Sequence, residues 1–298
     1  MPWSPPPGSL VSRTELLTRG VHPRRLASPE FLRPLPGYSM RADAPADLHR
    51  IAAVLAEKVL PGAVVSHASA AELLGWPVPL RLAHERTGVL HCRVPREDRR
   101  SAGRRVRVHR RAPRTVARFR GVPVSSDLEV LCDLAAVLTM PELTACIDHL
   151  VGPLHIGPRV RLDDVRERSG EIAGLHGAPA VRRAMALARE RVESPQETKL
   201  RLLLVDAGFP EPAIDVHIWA PGAHRPYRLD LAYRREMVAI EYDGDWHRTD
   251  RGRFERDRRK DDVLHEYGWR VVRVTARDLH DPAALVARLE HLGVPRVL

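Results

Sequence analysis

Acidic side chains recur at alternating positions between residues 228 and 247, in the segment RLDLAYRREMVAIEYDGDWH. Apolar and polar residues alternate with period two on both sides of residues 234–236, which is typical of two strands that each bury one face. If the turn centres on residues 235 and 236, Asp230 lies opposite Glu241. The segment is therefore predicted to be a β-hairpin with carboxylates on one face.

That register sorts the hairpin side chains by chemistry. The apolar face holds Leu229, Leu231, Tyr233, Val238, Ile240 and Tyr242, and the other face holds Asp230, Glu241 and Asp243. A slip of one residue would mix the two sets, so the pattern favours this register alone. Carboxylates directly across a strand pair have Cβ atoms about 4.5–5.5 Å apart, and their repulsion destabilises the sheet.

The acidic face therefore requires compensation by a divalent cation, a shared proton or nearby arginines. Mg²⁺ suits such a face because it binds one or two carboxylates and fills its other positions with water and phosphate oxygens. The alternative is a solvated face whose acids pair with Arg228, Arg234 and other arginines. The hairpin by itself leaves both interpretations open.

Two residues outside the hairpin could serve the same chemistry. Glu197 follows Ser194 and Pro195 at the spacing of a capping box, which is a complete structural explanation for it. His247 follows a glycine turn after the hairpin and could orient or deprotonate a water, because the unperturbed pKa of histidine lies near neutrality. The alternative is an ordinary loop histidine.

Residues 194–298 read in order as helix, strand, strand, strand, helix, strand, helix. The helix that begins at Ser194 ends at Gly208, and a highly charged helix over 252–267 follows the hairpin. This order predicts an α/β sandwich with a mixed central sheet.

The stretch from Ser194 to Leu279 resembles the PD-(D/E)XK nuclease superfamily, in the branch similar to very-short-patch repair endonucleases. The motifs that carry the resemblance are Ser194-Pro195-x-Glu197, Leu229-Asp230-Leu231, Ile240-Glu241-Tyr242-Asp243-Gly244, His247, Asp257 and Gly268-Trp269-Arg270-Val271. The resemblance implies a restriction-endonuclease-like fold in which Asp230 and Glu241 hold a catalytic Mg²⁺ or Mn²⁺ and Glu197 assists. Asp243 stands where the superfamily has its usual lysine, so it is a candidate metal ligand, and His247 would position water.

Basic residues are concentrated in one part of the N-terminal half. The net charge is +10, which favours a polyanion partner, and residues 99–120 hold ten arginines and no acid. Predicted strands at 88–94 and 105–110 would form an arginine-lined hairpin across this segment. Its candidate phosphate contacts are Arg104, Arg105, Arg107, Arg110 and Arg111. The alternative is a solvated basic face.

Several classes of protein are disfavoured by what the chain lacks. The sequence has no apolar run of roughly 18 residues and no signal-peptide pattern, so we expect a cytoplasmic protein with no membrane contact. Cys92, Cys132 and Cys146 have no CxxC spacing, which argues against a zinc site or disulfides and predicts buried, inert thiols.

The first half divides into a proline-rich tail at 1–10, predicted to be disordered, a candidate winged-helix or helix-turn-helix segment at 11–45, and a mixed α/β basic region at 46–190. Ser12 is a predicted N-cap with Glu15 three residues later. Arg24 and Arg25 on the second short helix are candidate DNA contacts. An ordinary helical hairpin is the alternative.

This half resembles AbiEi-like antitoxin proteins of actinobacterial type, through TELLTRGVHPRRL and VVSHASAAELLGWPVP. The resemblance implies a toxin or defence-system partner. Three functional hypotheses follow: a metal-dependent DNA endonuclease in repair or defence, a DNA-binding transcriptional regulator or antitoxin-like protein whose nuclease-fold domain is not catalytic, and a structural partner in a defence complex. The sequence leaves open the oligomeric state and the choice between DNA and RNA.

Overall fold

The structure is a computed structural model that describes residues 3–220, 226–244 and 260–297. It contains two compact units, one of residues 1–138 and 167–182 and the other of residues 139–166 and 183–298. The predicted division near residues 190–194 differs from this one, because residues 139–166 belong to the second unit. Helices occur with mixed sheets in both units, which confirms the α/β class.

The first unit begins with a small antiparallel sheet and two short helices. Its elements are β1 Val11–Ser12, α1 Arg13–Thr18, α2 Pro23–Leu26, β2 Phe31–Leu35 and β3 Tyr38–Arg41, with strand order β1-β3-β2. Ser12 caps α1 as predicted, because its side chain accepts a hydrogen bond from the Glu15 amide. Residues 3–10, predicted to be disordered, are held in place: the Gly8 amide donates to the Ala44 carbonyl, and Leu10 is buried.

The rest of this unit consists of a five-stranded mixed sheet and several helices. The strand order of the sheet is β6-β5-β4-β8-β7. Its elements are α3 Leu48–Val54, a π-helical continuation Leu55–Val59, β4 Val64–Val65, α4 His67–Leu73, α5 His84–Thr87, β5 Leu90–Val94, β6 Val106–Arg110, β7 Val116–Phe119, β8 Val122–Ser125, α6 Asp127–Leu134 and the 3₁₀ turn Arg168–Gly170. β5 and β6 pair in parallel, so the predicted arginine-lined hairpin is wrong. Residues 95–105 return the chain to the start of the neighbouring strand instead of turning it back.

The second unit contains the predicted acidic hairpin. Its elements include α7 Met140–Val151, α8 Leu162–Glu167, α9 Ala178–Leu187, α10 Pro195–Asp206, β9 Ala213–Ile218, β10 Tyr227–Tyr233, β11 Val238–Tyr242, α11 (described over 260–266), β12 Arg270–Val274, α12 Ala276–His280 and α13 Ala283–His291. The strand order is β12-β11-β10-β9, and only β11 and β12 are parallel. Leu231 pairs with Ile240 and Tyr233 with Val238, which confirms the predicted register.

Both faces of this sheet carry an apolar core. On one face Leu231, Tyr233, Val238 and Ile240 pack with Leu200 of α10 and with the C-terminal helix, as predicted for these hairpin residues. The opposite face buries Leu229, Ala232 and Ala239 with Leu264 of α11 and Trp269. Leu229 was predicted on the first face. The alternation of β10 therefore breaks at residue 230, whereas Glu241, two residues after Ala239, shares its face with the second, smaller core.

A buried ion pair joins α7 to α10 inside this unit. Asp148 Oδ2 accepts hydrogen bonds from Thr198 Oγ1 at 2.7 Å and from Arg201 Nη2 at 3.3 Å, and Asp148 Oδ1 accepts from the Arg189 amide at 2.7 Å. Arg201 and Asp148 are each about 1% exposed. This network explains why residues before 167 belong with the C-terminal helices.

The three cysteines are buried free thiols, as predicted. Burial raises the pKa of Cys132 to about 11 and makes its thiolate unfavourable at neutral pH. Within residues 3–220, 226–244 and 260–297, no helix has the length and apolar character needed to cross a membrane.

Candidate functional site

The four strands of the second unit place four charged residues side by side. Leu229 pairs with Val216 and Leu231 with Ile214, so Asp230 lies between them beside Asp215. The pairing of β10 with β11 ends at Leu231 and Ile240, and Asp230 and Glu241 are the next positions on the two strands. Glu241 in turn pairs with Arg273 of β12. We call Asp215, Asp230 and Glu241 the carboxylate row.

Basic side chains compensate the carboxylate row. Arg228 Nη2 lies 3.5 Å from Asp230 Oδ1, and Arg228 Nε lies 3.6 Å from Asp215 Oδ1. Lys260 of α11 forms a close ion pair with Glu241 Oε1. Arginine compensation was one of the predicted alternatives, and Arg228 fits it. The pairing of Lys260 with Glu241 was not predicted.

Glu197 lies at the start of α10, where Ser194 caps the helix as predicted, but the Glu197 side chain bonds to the residue before the cap instead of to Ser194 itself. The Ser194 hydroxyl accepts from the Glu197 amide at 3.2 Å, and Glu197 Oε2 accepts from the Glu193 amide at 3.2 Å. The side chain is buried. Burial, followed by the negative charge of Asp230, raises the pKa of Glu197 to about 7. Glu197 is thus electrostatically coupled to the carboxylate row as well as capping its helix.

Glu241 is also buried, and burial raises its pKa above the ordinary value. Lys260 opposes this rise, whereas Asp230 adds to it by repulsion. Burial is thus the main cause of both raised pKa values, and the charge of Asp230 adds to each of them. A cation placed among the three carboxyl groups would relieve this repulsion, and carboxylate oxygens are the donors that Mg²⁺ prefers.

Asp243 lies just beyond β11, where its amide donates to the Val274 carbonyl at 2.7 Å. Asp230, Glu241 and Asp243 do not converge closely: among the described residues, only three histidines of the first unit bring three candidate metal-ligating atoms within 4.8 Å of one another. The prediction that three acids meet around one point is therefore not met. His247 and Asp257 lie outside the described residues.

The candidate nucleic-acid contacts fall into two groups. Arg104, Arg105, Arg107, Arg110 and Arg111 are exposed, as phosphate contacts must be, and so is Arg24. Arg25 is engaged within the fold, because it forms an ion pair with Glu30 and its Nη1 donates to the Trp3 carbonyl at 2.8 Å. Arg25 therefore helps to fix the N-terminal segment, and its assignment as a DNA contact stays a prediction.

Sequence reasoning missed a cluster of three histidines in the first unit. His67 begins α4, His91 lies on β5 and His109 lies on β6. The ring of His67 stacks on that of His109 with centroids 3.7 Å apart and planes 14° apart, and His91 Nδ1 lies 3.1 Å from His109 Nε2. We call these residues the histidine cluster.

An acidic and basic network supports the histidine cluster. Asp133 Oδ2 lies 3.2 Å from His67 Nδ1, and the other oxygen of Asp133 pairs closely with the buried Arg93. Burial, followed by the neighbouring histidines and arginines, lowers the pKa of His67 to about 2. Burial likewise lowers the pKa of His91 and of His109 to about 4. All three imidazoles are therefore neutral at pH 7.

No protein-family model matches this chain. Two Mycobacterium tuberculosis proteins, uncharacterized protein MT2308 of strain CDC 1551 and uncharacterized protein Rv2248 of strain H37Rv, are each 27% identical to it over 193 residues, or 64% of this chain and 69% of theirs. The crystal structure of the RV2827C protein from Mycobacterium tuberculosis aligns with 71% of this chain and 84% of its own, at 17% identity and a TM-score of 0.36. These similarities establish neither a family nor a fold.

Proposed function

We propose that the second unit is a Mg²⁺-dependent DNA endonuclease domain with a restriction-endonuclease-like fold. The observation that carries this proposal is the hairpin register, which places Asp230 and Glu241 just beyond its last residue pair while α10 supplies Glu197 and α11 supplies Lys260. The order α10, β9, β10, β11, α11, β12, with only β11 and β12 parallel, supports it as well, because it matches the order expected from the nuclease-like motifs.

Asp230 and Glu241 would hold the metal, with Glu197 beside them. Asp230 and Glu241 provide oxygen ligands from adjacent strands, and Glu197 borders them from the helix. A bound Mg²⁺ supplies an activated water and neutralises charge on the scissile phosphate. The pKa of Glu197, about 7, leaves this side chain able to accept or return a proton near neutral pH.

Lys260 supplies the positive charge that Asp243 cannot. The resemblance places a lysine at position 243, where this chain has an acid, whereas Lys260 reaches Glu241 from α11. A lysine ammonium beside the carboxylate row would stabilise negative charge on a phosphate bound there. The exposed arginines of residues 104–111 would position the DNA backbone in the same reaction, without sequence preference.

Cleavage of supercoiled plasmid by the purified full chain tests the proposal. We expect nicking that requires Mg²⁺ or Mn²⁺, that stops with a chelator, and that falls at least about 100-fold in Asp230→Asn and Glu241→Gln. Glu266→Gln, which changes an exposed glutamate of α11, is the matched control and should cleave normally. Equal nicking by all four proteins would identify a contaminant and count against the proposal.

The pairing of the acids with basic residues favours a second candidate. Because Arg228 and Lys260 already compensate Asp230 and Glu241, the fold is complete without a metal and could serve DNA binding alone, as in a transcriptional regulator or antitoxin-like protein. Calorimetry separates the two functions. Mg²⁺ or Mn²⁺ binding that disappears in Asp230→Asn supports the nuclease, whereas tight DNA binding with no metal binding supports the regulator.

A further inference from the structure

Three imidazoles from separate elements meet on one side of the five-stranded sheet. We propose that the histidine cluster is a binding site for a divalent transition metal, with Zn²⁺ the ion it fits best. His67, His91 and His109 bring their ligating nitrogens within 4.8 Å of one another. The site belongs to the first unit and is independent of the Mg²⁺ chemistry proposed for the second.

The parallel register of β5 and β6 places two of the proposed ligands, His91 and His109, close together. His91 pairs with Arg107, and Arg93 pairs with His109, so His91 and His109 project from the same face of neighbouring strands. His91 Nδ1 and His109 Nε2 are 3.1 Å apart. Two nitrogens that bind one tetrahedral ion at 2.0–2.1 Å lie about 3.3 Å apart, so this pair needs almost no adjustment. The single hydrogen bond between the two nitrogens would give way to two bonds to the metal.

The third proposed ligand, His67, lies next to the carboxylate of Asp133. His67 Nδ1 lies 2.9 Å from the Ser66 hydroxyl and 3.2 Å from Asp133 Oδ2, which leaves Nε2 of the ring to bind the metal. Asp133 Oδ2 is buried and has no hydrogen-bond partner. A rotation of the His67 ring out of its stack on His109 would both turn Nε2 toward the other nitrogens and let Nδ1 donate to Asp133. Histidines that bind zinc characteristically donate their second nitrogen to such a carboxylate.

The donor set selects the class of metal. Imidazole nitrogen suits Zn²⁺, Cu²⁺ and Ni²⁺, whereas Mg²⁺ and Ca²⁺ prefer oxygen ligands. Cys92, the nearest thiol in sequence to His91, is buried on the core side of β5, so no thiolate completes the site from that strand. Three histidines leave the fourth tetrahedral position for water or a bound anion, which is the arrangement of reactive zinc sites.

Metal binding by the untagged full chain tests the inference. After treatment with a chelator and dialysis, we expect one equivalent of Zn²⁺ to bind in competition with a chromophoric chelator, and Co²⁺ to give the visible absorption of a tetrahedral complex. His91→Gln and His109→Gln should each weaken Zn²⁺ binding at least about 30-fold, and Asp133→Asn about 10–100-fold at unchanged stoichiometry. His280→Gln, an exposed histidine of α12, is the matched control.

Two measurements distinguish the loss of a metal ligand from a folding defect, since either could weaken Zn²⁺ binding. Circular dichroism with a chelator present should show the variants folded, and Zn²⁺ should raise the Tm of the parent chain but not of His91→Gln. The Asp230→Asn variant should retain Zn²⁺ binding. Absence of the Co²⁺ absorption in the folded parent chain, or Zn²⁺ affinity unchanged in both histidine variants, would show that the cluster is a permanent imidazole stack only and would overturn the inference.

Discussion

The carboxylate row and the histidine cluster differ in how far apart in the sequence their residues lie. Asp230 and Glu241 are eleven positions apart on one hairpin, and alternation along the two strands is enough to predict the register that brings them together. His67, His91 and His109 lie on three elements, two of which are parallel strands that no short turn connects. Local pattern therefore reveals the first site, whereas only the sheet topology reveals the second.

The two sites also differ in how their charge is handled. The imidazoles of the histidine cluster are neutral, and the charged residues next to them are the ion-paired Arg93 and Asp133. The carboxylate row carries its charges within the site and relies on Lys260 and Arg228 beside it. Without a metal, a neutral site has no charge repulsion that would lower the stability of the fold. An acidic site does have such repulsion, so the fold gains stability when a cation binds.

The largest effect should come from the buried ion pair that fixes α10. Asp148→Ala removes one of the two acids that pair with the buried Arg201 guanidinium, the other being Glu211, and leaves the buried Thr198 hydroxyl without its acceptor. We therefore expect the free energy of unfolding of the second unit to fall by about 3–5 kcal/mol. Urea unfolding followed by circular dichroism measures this. Asp206→Ala, an exposed acid of the same helix, should change it by less than about 0.5 kcal/mol. Similar values for the two variants would contradict the assigned role of Asp148.

The next effect should be a pH dependence that comes from Glu197, beside the carboxylate row. The pKa of Glu197 is raised from 4.5 to about 7, so its protonated form is favoured by folding. Its contribution is then most favourable below pH 4.5 and is lost as the pH rises through 7, by at most about 3 kcal/mol. Urea unfolding with a chelator present should show a smaller loss from pH 5 to pH 8 for Glu197→Gln than for the parent chain. Parallel curves would exclude this coupling.

A smaller effect should distinguish Lys260 from an ordinary surface lysine. Lys260 holds down the pKa of Glu241, so Lys260→Gln should raise that pKa further and move plasmid cleavage toward higher pH. At pH 7 we expect cleavage to fall about 10-fold, which equals about 1.4 kcal/mol. Lys58→Gln, an exposed lysine of the first unit, is the control. An unshifted pH profile would assign Lys260 to structure alone.

The smallest effect concerns the basic face beside the histidine cluster. If Arg107 contacts a DNA phosphate, Arg107→Gln should reduce the slope of log affinity against log salt by about 0.9. Arg25→Gln should leave that slope unchanged and loosen the N-terminal segment instead, because Arg25 binds Glu30 and the Trp3 carbonyl. Filter binding at several salt concentrations measures both. A slope that changes in Arg25→Gln and not in Arg107→Gln would reverse the assignment.

Sequence predicted the hairpin and the α10 cap well because both depend on neighbouring residues. Period-two alternation set the register of Leu231 with Ile240, and the spacing from Ser194 to Glu197 set the start of the helix. The same local logic failed where distant segments meet. Strands 90–94 and 106–110 were identified, but their order along the chain suggested a hairpin, whereas they pair in parallel.

The missed site residues share one physical cause. Lys260 reaches Glu241 across nineteen positions, and His67 and His109 stack across forty-two, so neither contact leaves a period in the sequence. The three histidines are spread over residues 67–109 and form no short metal-binding motif. The spacing of the cysteines gives no indication of them. Sheet topology would have been required to find them.

The α7–α10 network also bears on how the nuclease-like region could be produced as a fragment. A fragment cut at residue 194, where the nuclease-like motifs begin, would retain Arg201 and its partner Glu211 but discard Asp148, so a guanidinium that is 1% exposed in the full chain would lose one of its two acid partners. The separated piece would also expose the surface of α10 that α7 covers. We therefore expect a fragment cut at the motif boundary to be less stable than the same region produced together with residues 139–166.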